Sequence, residues 1–177
     1  MAKKLSIRLI AISALIVSIP LAKLMLDGLV IVGDDTIFHL SRIRSIAMEL
    51  PYHFPVYMFS DWNRGLGSPA AIFYPSLFFY VPAIFWIFEI PRAIVFDGFL
   101  IALIFSAGFL SYFGFSRILK SKFLGGIASS IYISQGYFLF DIYTRCALGE
   151  ILAMIFLPLA ISIPRKKIFE SVLIFSA

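Results

Sequence analysis

Residues 5–26 read LSIRLIAISALIVSIPLAKLML, and the length of this run decides the fold class. About 20 predominantly apolar residues are what a helix needs to cross the hydrocarbon core of a bilayer. Lys3, Lys4 and Arg8 stand at its front, a placement that holds an amino terminus in the cytoplasm. A cleaved signal peptide would begin the same way. However, Ile19-Pro20-Leu21-Ala22 lacks the paired small residues of a cleavage site, and further apolar blocks follow, so an uncleaved anchor is expected.

The rest of the chain agrees with that start. Of 177 residues, 61% are hydrophobic, 17% aromatic and only 14% charged, against about 25% charged in a soluble domain. A water-soluble core has nowhere to put 20 Phe. The net charge of +5 comes from short basic clusters between apolar runs and forms no basic stripe, so it reports orientation and argues against nucleic acid as a partner. Cys146 is the only cysteine, which excludes an intrachain disulfide and a cysteine metal cluster.

The fold expected is all-α, a polytopic transmembrane helical bundle with juxtamembrane amphipathic helices in its first outer loop. Spans are expected at about 5–26, 98–116, 123–140 and 151–163, with a partial one from 168, in a single membrane domain over 1–177. Residues 27–69 form the outer loop. Residues 70–90, interrupted by Pro75 and Pro82, are expected to be re-entrant or juxtamembrane. That assignment puts Arg117, Lys120, Lys122 and Arg165-Lys166-Lys167 in the cytoplasm with the amino terminus, in keeping with the excess of cations on that side. It also brings Asp27, Asp34, Asp35, Glu49, Asp61, Glu89, Asp97, Asp141 and Glu150 to the outer face or its boundary. The localisation expected is a bacterial cell membrane, multi-pass, with membrane lipid as a partner. The chain stops inside an apolar run at Ile174-Phe175-Ser176-Ala177 and is expected to be the start of a longer reading frame.

Gly33-Asp34-Asp35-Thr36 is the sharpest polar signal. It precedes an amphipathic helix expected over 36–50, in which Leu40, Ile43, Ile46, Ala47 and Leu50 recur at helical spacing. Asp35, His39 and Arg42 follow at intervals of four and three, so they are expected to project together. Asp34 or Asp35 would cap this helix. The same carboxylates suit a hydroxyl-activating base, or a divalent ion such as Mg or Mn, since hard cations take oxygen ligands; His39 is a further candidate ligand. In Tyr143-Thr144-Arg145-Cys146-Ala147-Leu148-Gly149-Glu150, Arg145 either pairs with Glu150 or binds substrate phosphate, which guanidinium matches in a bidentate way. Asp61-Trp62-Asn63-Arg64-Gly65-Leu66-Gly67-Ser68-Pro69 reads as a turn-rich loop, with Phe73 and Tyr74 in an interfacial aromatic belt. Gly65-Leu66-Gly67 lacks the third glycine of a nucleotide fingerprint. No Ser-His-Asp set is present.

This order of features resembles the amino-terminal part of bacterial multi-spanning proteins of the YfhO-like kind, including those labelled "6-pyruvoyl-tetrahydropterin synthase-related membrane protein". The features are one span, an outer loop opening on Gly33-Asp34-Asp35 with Phe38-His39-Leu40 and Arg42, then Gly67-Ser68-Pro69 and Phe73-Tyr74-Pro75, then Arg145 to Glu150. Such proteins resemble the GT-C glycosyltransferases. The resemblance implies a cell-envelope enzyme with a polyprenyl-phosphate-linked sugar donor, Asp34 or Asp35 as the base or metal ligand, and Arg145, Glu150, His39 and Arg42 as substrate-binding residues. GT-C proteins have more spans, so the chain alone is expected to be inactive. The alternative is a non-catalytic membrane protein, either a transporter component or an envelope-assembly scaffold.

Overall fold

The structure is a computed structural model that describes residues 2–74 and 76–163. Eight α-helices are described: α1 (Ala2–Leu26), α2 (Thr36–Glu49), α3 (Ala70–Phe73), α4 (Tyr80–Ile87), α5 (Arg92–Ile118), α6 (Lys122–Ser134), α7 (Gly136–Phe140) and α8 (Leu148–Ile161). Single turns of 3₁₀ helix lie at Asn63–Gly65 and Leu77–Phe79, and a π-helical turn covers Asp141–Arg145. There is no strand among the described residues, only an isolated bridge from Phe59 to Ser68. The fold is therefore all-helical. The cations at 165–167 and the apolar stretch from 168 lie outside the described residues.

Two helices, Lys4–Leu26 and Arg92–Ile118, are long and apolar enough to cross a membrane. The pair Lys122–Ser134 and Gly136–Arg145 is a third candidate, bent by 43°. One span was expected over about 123–140. Gln135 interrupts it, because its extended backbone (φ −73°, ψ 148°) ends one helix and opens the next. The apolar helices Leu77–Ile87 and Leu148–Ile161 are shorter. At about 1.5 Å per residue they cover roughly 17 and 21 Å, less than the ~30 Å of a hydrocarbon core.

The helix ends follow local chemistry. Behind α1, Gly28 takes a positive φ of 70°, its N–H donates to Met25 O at 3.2 Å, and Leu29 N–H reaches Leu24 O at 2.9 Å. That pair of bonds satisfies terminal carbonyls that the helix leaves open. Pro51 follows α2 and cannot extend it. Ser121 caps α6, its hydroxyl accepting from Leu124 N–H.

The chain divides into two compact units. Among the described residues the first comprises 2–19, 102–142 and 148–163. Here helices approach through small residues, as membrane helices do: a Cβ added at Gly126 would lie 2.6 Å from Ser6 Cβ, and one at Gly114 would lie 2.4 Å from the Pro158 backbone. Inside it Ser6 donates to Lys122 O and Ser111 pairs with Ser129 at 2.6 Å, whereas the buried hydroxyls of Ser18, Ser116 and Ser130 have no partner among the described residues. The second unit comprises residues 20–101 and 143–147 and holds most of the polar residues singled out above. Its core is α2 laid on α4, with Ile43, Ile46, Phe59, Phe79 and Ala83 buried.

Candidate functional site

The second unit brings together two segments that are remote in sequence. Consecutive backbone N–H groups of Asp34 and Asp35 donate to consecutive carbonyls, Thr144 O at 3.1 Å and Arg145 O at 2.8 Å. This approach is open to glycine alone at position 33, where a Cβ would sit 2.6 Å from Thr144 O and 2.8 Å from Cys146 Sγ. Gly33 N–H donates to the Thr36 hydroxyl at 2.8 Å. That hydroxyl also meets the buried Cys146 thiol. Burial pushes the thiol up from its ordinary range, with the Asp97 and Asp35 charges adding to it and Thr36 opposing. The segment 33–36 is thus clamped to 144–146, and Arg145 is tied through its backbone to the start of α2.

Asp35 occupies the N-cap position of α2, yet its side chain makes no capping hydrogen bond. The cap reading of the sequence therefore holds for position and not for chemistry, and the carboxylate stays half-buried at the helix start. Asp34 beside it is exposed. The N-terminal end of a helix favours such charges through its dipole.

His39 and Arg42, one and two turns after Asp35, are packed inside the unit. They are 5% and 2% exposed. The reason lies in the same helical period, because His39, Ile43 and Ile46, with Arg42 between, form one stripe that α4 covers. Arg42 Cζ lies 4.1 Å from the centre of the Phe79 ring and 5.5 Å from those of Phe38 and Tyr74. Its Nη2 donates to Tyr74 O at 3.1 Å and Ser76 Oγ at 3.4 Å. Burial lowers its pKa to about 10, opposed by Tyr74, so it remains a cation held by aromatic faces. The His39 ring stands 5.2 Å from Phe38 and 5.4 Å from Phe79. Arg42 joins α2 to Tyr74, Ser76 and Phe79, and His39 joins it to Phe79.

Burial, then the nearby Arg42 charge, lowers the His39 pKa from 6.5 to about 4. An unfolded histidine takes up its proton below pH 6.5 and the folded one does so only near pH 4. Stability is therefore full above pH 6.5 and falls between pH 6.5 and about 4, by on the order of 3 kcal/mol. Unfolding of the detergent-solubilised protein at pH 7 and pH 5 should show about 2 kcal/mol of this loss, and His39→Phe should remove the part of the slope that His39 carries.

The loop after α2 is pinned from the same helix. Ser45 Oγ lies 2.6 Å from Asp61 Oδ1 and accepts the Trp62 indole N–H at 2.8 Å. A cleft of about 340 Å³ is lined by Phe38, Ser41, Arg44, Asp61 and Trp62. Glu150 belongs to the other unit, in the first turn of α8, where the Tyr137 hydroxyl donates to its Oε2 at 2.5 Å.

No group of three or more His, Cys, Asp or Glu that could hold a metal ion occurs among the described residues. Asp34 and Asp35 alone do not make an all-protein cage; a Mg or Mn ion there would take its other ligands from water and substrate phosphate. Asp97 and Cys146 were missed as members of the site. Asp97 is buried and its Oδ1 accepts the Ile31 N–H at 3.2 Å. A carboxylate six residues into an apolar helix was its sequence signal. No family model, curated protein or solved structure matches the chain.

Proposed function

We propose that the chain is the amino-terminal part of a membrane glycosyltransferase-like protein. It would use a polyprenyl-phosphate-linked sugar on the extracytoplasmic face of a bacterial cell membrane, with its amino terminus in the cytoplasm. The observation that carries this reading is the clamp of Asp34 and Asp35 onto Thr144 and Arg145, with an Asp35 carboxylate that capping does not use. A base and a phosphate-binding cation come from segments held at a common place. In the step proposed, an acceptor hydroxyl gives its proton to the Asp35 carboxylate and its oxygen bonds to the sugar C1. The C1–oxygen bond to phosphate breaks, and polyprenyl phosphate leaves with its charge on Arg145.

Sugar transfer by the membrane-inserted, full-length protein with Asp35 replaced by asparagine tests this reading. Lost transfer with normal insertion supports the base. Unchanged turnover removes Asp35 from the chemistry and leaves the non-catalytic reading, a transporter component or envelope scaffold. That second reading draws on the burial of His39 and Arg42 among aromatic rings, where both serve packing.

Orientation has its own check. A reporter fused after Lys122 should read cytoplasmic, with Arg117 and Lys120 beside it. A signal from the outer side would mean that residues 70–90 cross the membrane, which leaves Asp35 outside and moves Arg145 to the opposite face.

A further inference from the structure

α4 is apolar all round, and a helix of that kind is covered on every side by apolar material. One side meets α2 through Pro82 and Ala83, both buried. On the other, Val81, Ile84, Phe85 and Phe88 recur at helical spacing and are 52, 45, 48 and 73% exposed. The bare surface continues beyond the helix. Phe54, Ile72 and Leu77, also largely exposed, line one groove of about 430 Å³ with Val56, Tyr57 and Tyr80. The Tyr80 hydroxyl fixes this groove by accepting the Val56 N–H at 2.8 Å. Residues 65–88 contain no Asp, Glu, Lys, Arg or His. Arg64 before them, and Glu89 and Arg92 after them, are exposed, and Arg92 lies 5.5 Å from the Trp86 ring.

We infer that this face, the outer stripe of α4 with the groove lined by residues 54–57, 71–72, 76–77 and 80, seats in the hydrocarbon of one bilayer leaflet. The amphipathic helix α2 then has its apolar stripe on α4 and not on lipid. Several observations select lipid as the occupant. The segment is tethered at both ends to helices long enough to cross the membrane, ending at Leu26 and beginning at Arg92. The charge-free run has the composition of a bilayer contact, and arginine and tryptophan at its border suit the headgroup level. The inference rests on the spanning of α1 and α5 and is independent of sugar transfer.

The test uses the full chain in lipid nanodiscs, with Cys146 replaced by serine and nitroxide labels on single cysteines at Leu77, Ile84, Arg44 or Phe113. At Leu77→Cys and Ile84→Cys, oxygen should reach the label several-fold more readily than a water-soluble nickel chelate, as at the Phe113→Cys reference on α5. The order should reverse at Arg44→Cys. Nickel access at 77 and 84 with protection at 113 overturns the seat alone. Nickel access at 113 as well overturns the spanning reading and the seat together. Exclusion of both reagents, with dipolar broadening in discs holding two chains, assigns the face to a second copy and overturns lipid. If the serine exchange disturbs the fold, brominated acyl chains should quench Trp86 in a Trp62→Phe chain; quenching no stronger than in non-brominated lipid gives the negative answer.

Discussion

Asp35→Asn is expected to lower sugar transfer by about 10²- to 10⁴-fold in the full-length inserted protein, the usual contribution of a positioned general base. That is roughly 3–5 kcal/mol of barrier. Asparagine keeps the shape and accepts hydrogen bonds but takes no proton. The backbone N–H of residue 35 still reaches Arg145 O, so the clamp and the fold should survive, and an unchanged unfolding temperature is part of the expected result. Asp34→Asn is the comparison. Asp34 is exposed whereas Asp35 is half-buried, and a water-facing carboxylate is the weaker catalyst, so its loss should be smaller by about tenfold or more. A larger loss at Asp34 would exchange the two roles.

Gly33→Ala should have the largest structural effect. The added Cβ meets a backbone carbonyl, Thr144 O, at 2.6 Å and the buried Cys146 Sγ at 2.8 Å, and neither can swing aside as a long side chain would. Overpacking of this kind costs about 1–3 kcal/mol. Separation of the segments also weakens the bonds from Asp34 and Asp35, each contributing about 1 kcal/mol. A combined loss of about 2–5 kcal/mol is expected, read as a lower unfolding temperature and faster tryptic cleavage after Arg145. Gly149→Ala is the control, since a Cβ there meets nothing within 4 Å. Equal stability of the two variants would show that the clamp does not restrain residue 33.

The all-helical class and the ends of α1 and α2 were legible because they follow from local rules. An apolar run of sufficient length, Asp27-Gly28 behind α1 and Pro51 behind α2 each act within a turn of where they stand. The clamp was not legible. Hydrogen bonds between the backbones of residues 34–35 and 144–145 leave no mark on side-chain identity, except at Gly33, whose requirement for close approach is visible only once the partner is in place. The burial of His39 and Arg42 was not legible for a different reason. Helical spacing tells which residues share a stripe but not what covers it, and three aromatic rings at Phe38, Tyr74 and Phe79 make a buried stripe hospitable to a cation. The break falls at Ser134-Gln135-Gly136, a polar and glycine-containing interruption so short that Ile131-Tyr132-Ile133 and Tyr137-Phe138-Leu139 on either side read as one apolar run.

The clamp also sets an order of events during synthesis. Asp35 leaves the ribosome about 110 residues ahead of Arg145, which at common translation speeds is roughly 5–20 s. Throughout that interval the N–H groups of Asp34 and Asp35 have no carbonyl to meet. A nascent segment waiting in water loses little, whereas the same segment waiting in hydrocarbon would carry bare polar groups at a high cost. The first loop is therefore built to mature late: its closing partner arrives only after α5, α6 and α7 have been made, and a pause in elongation before residue 144 would leave it open.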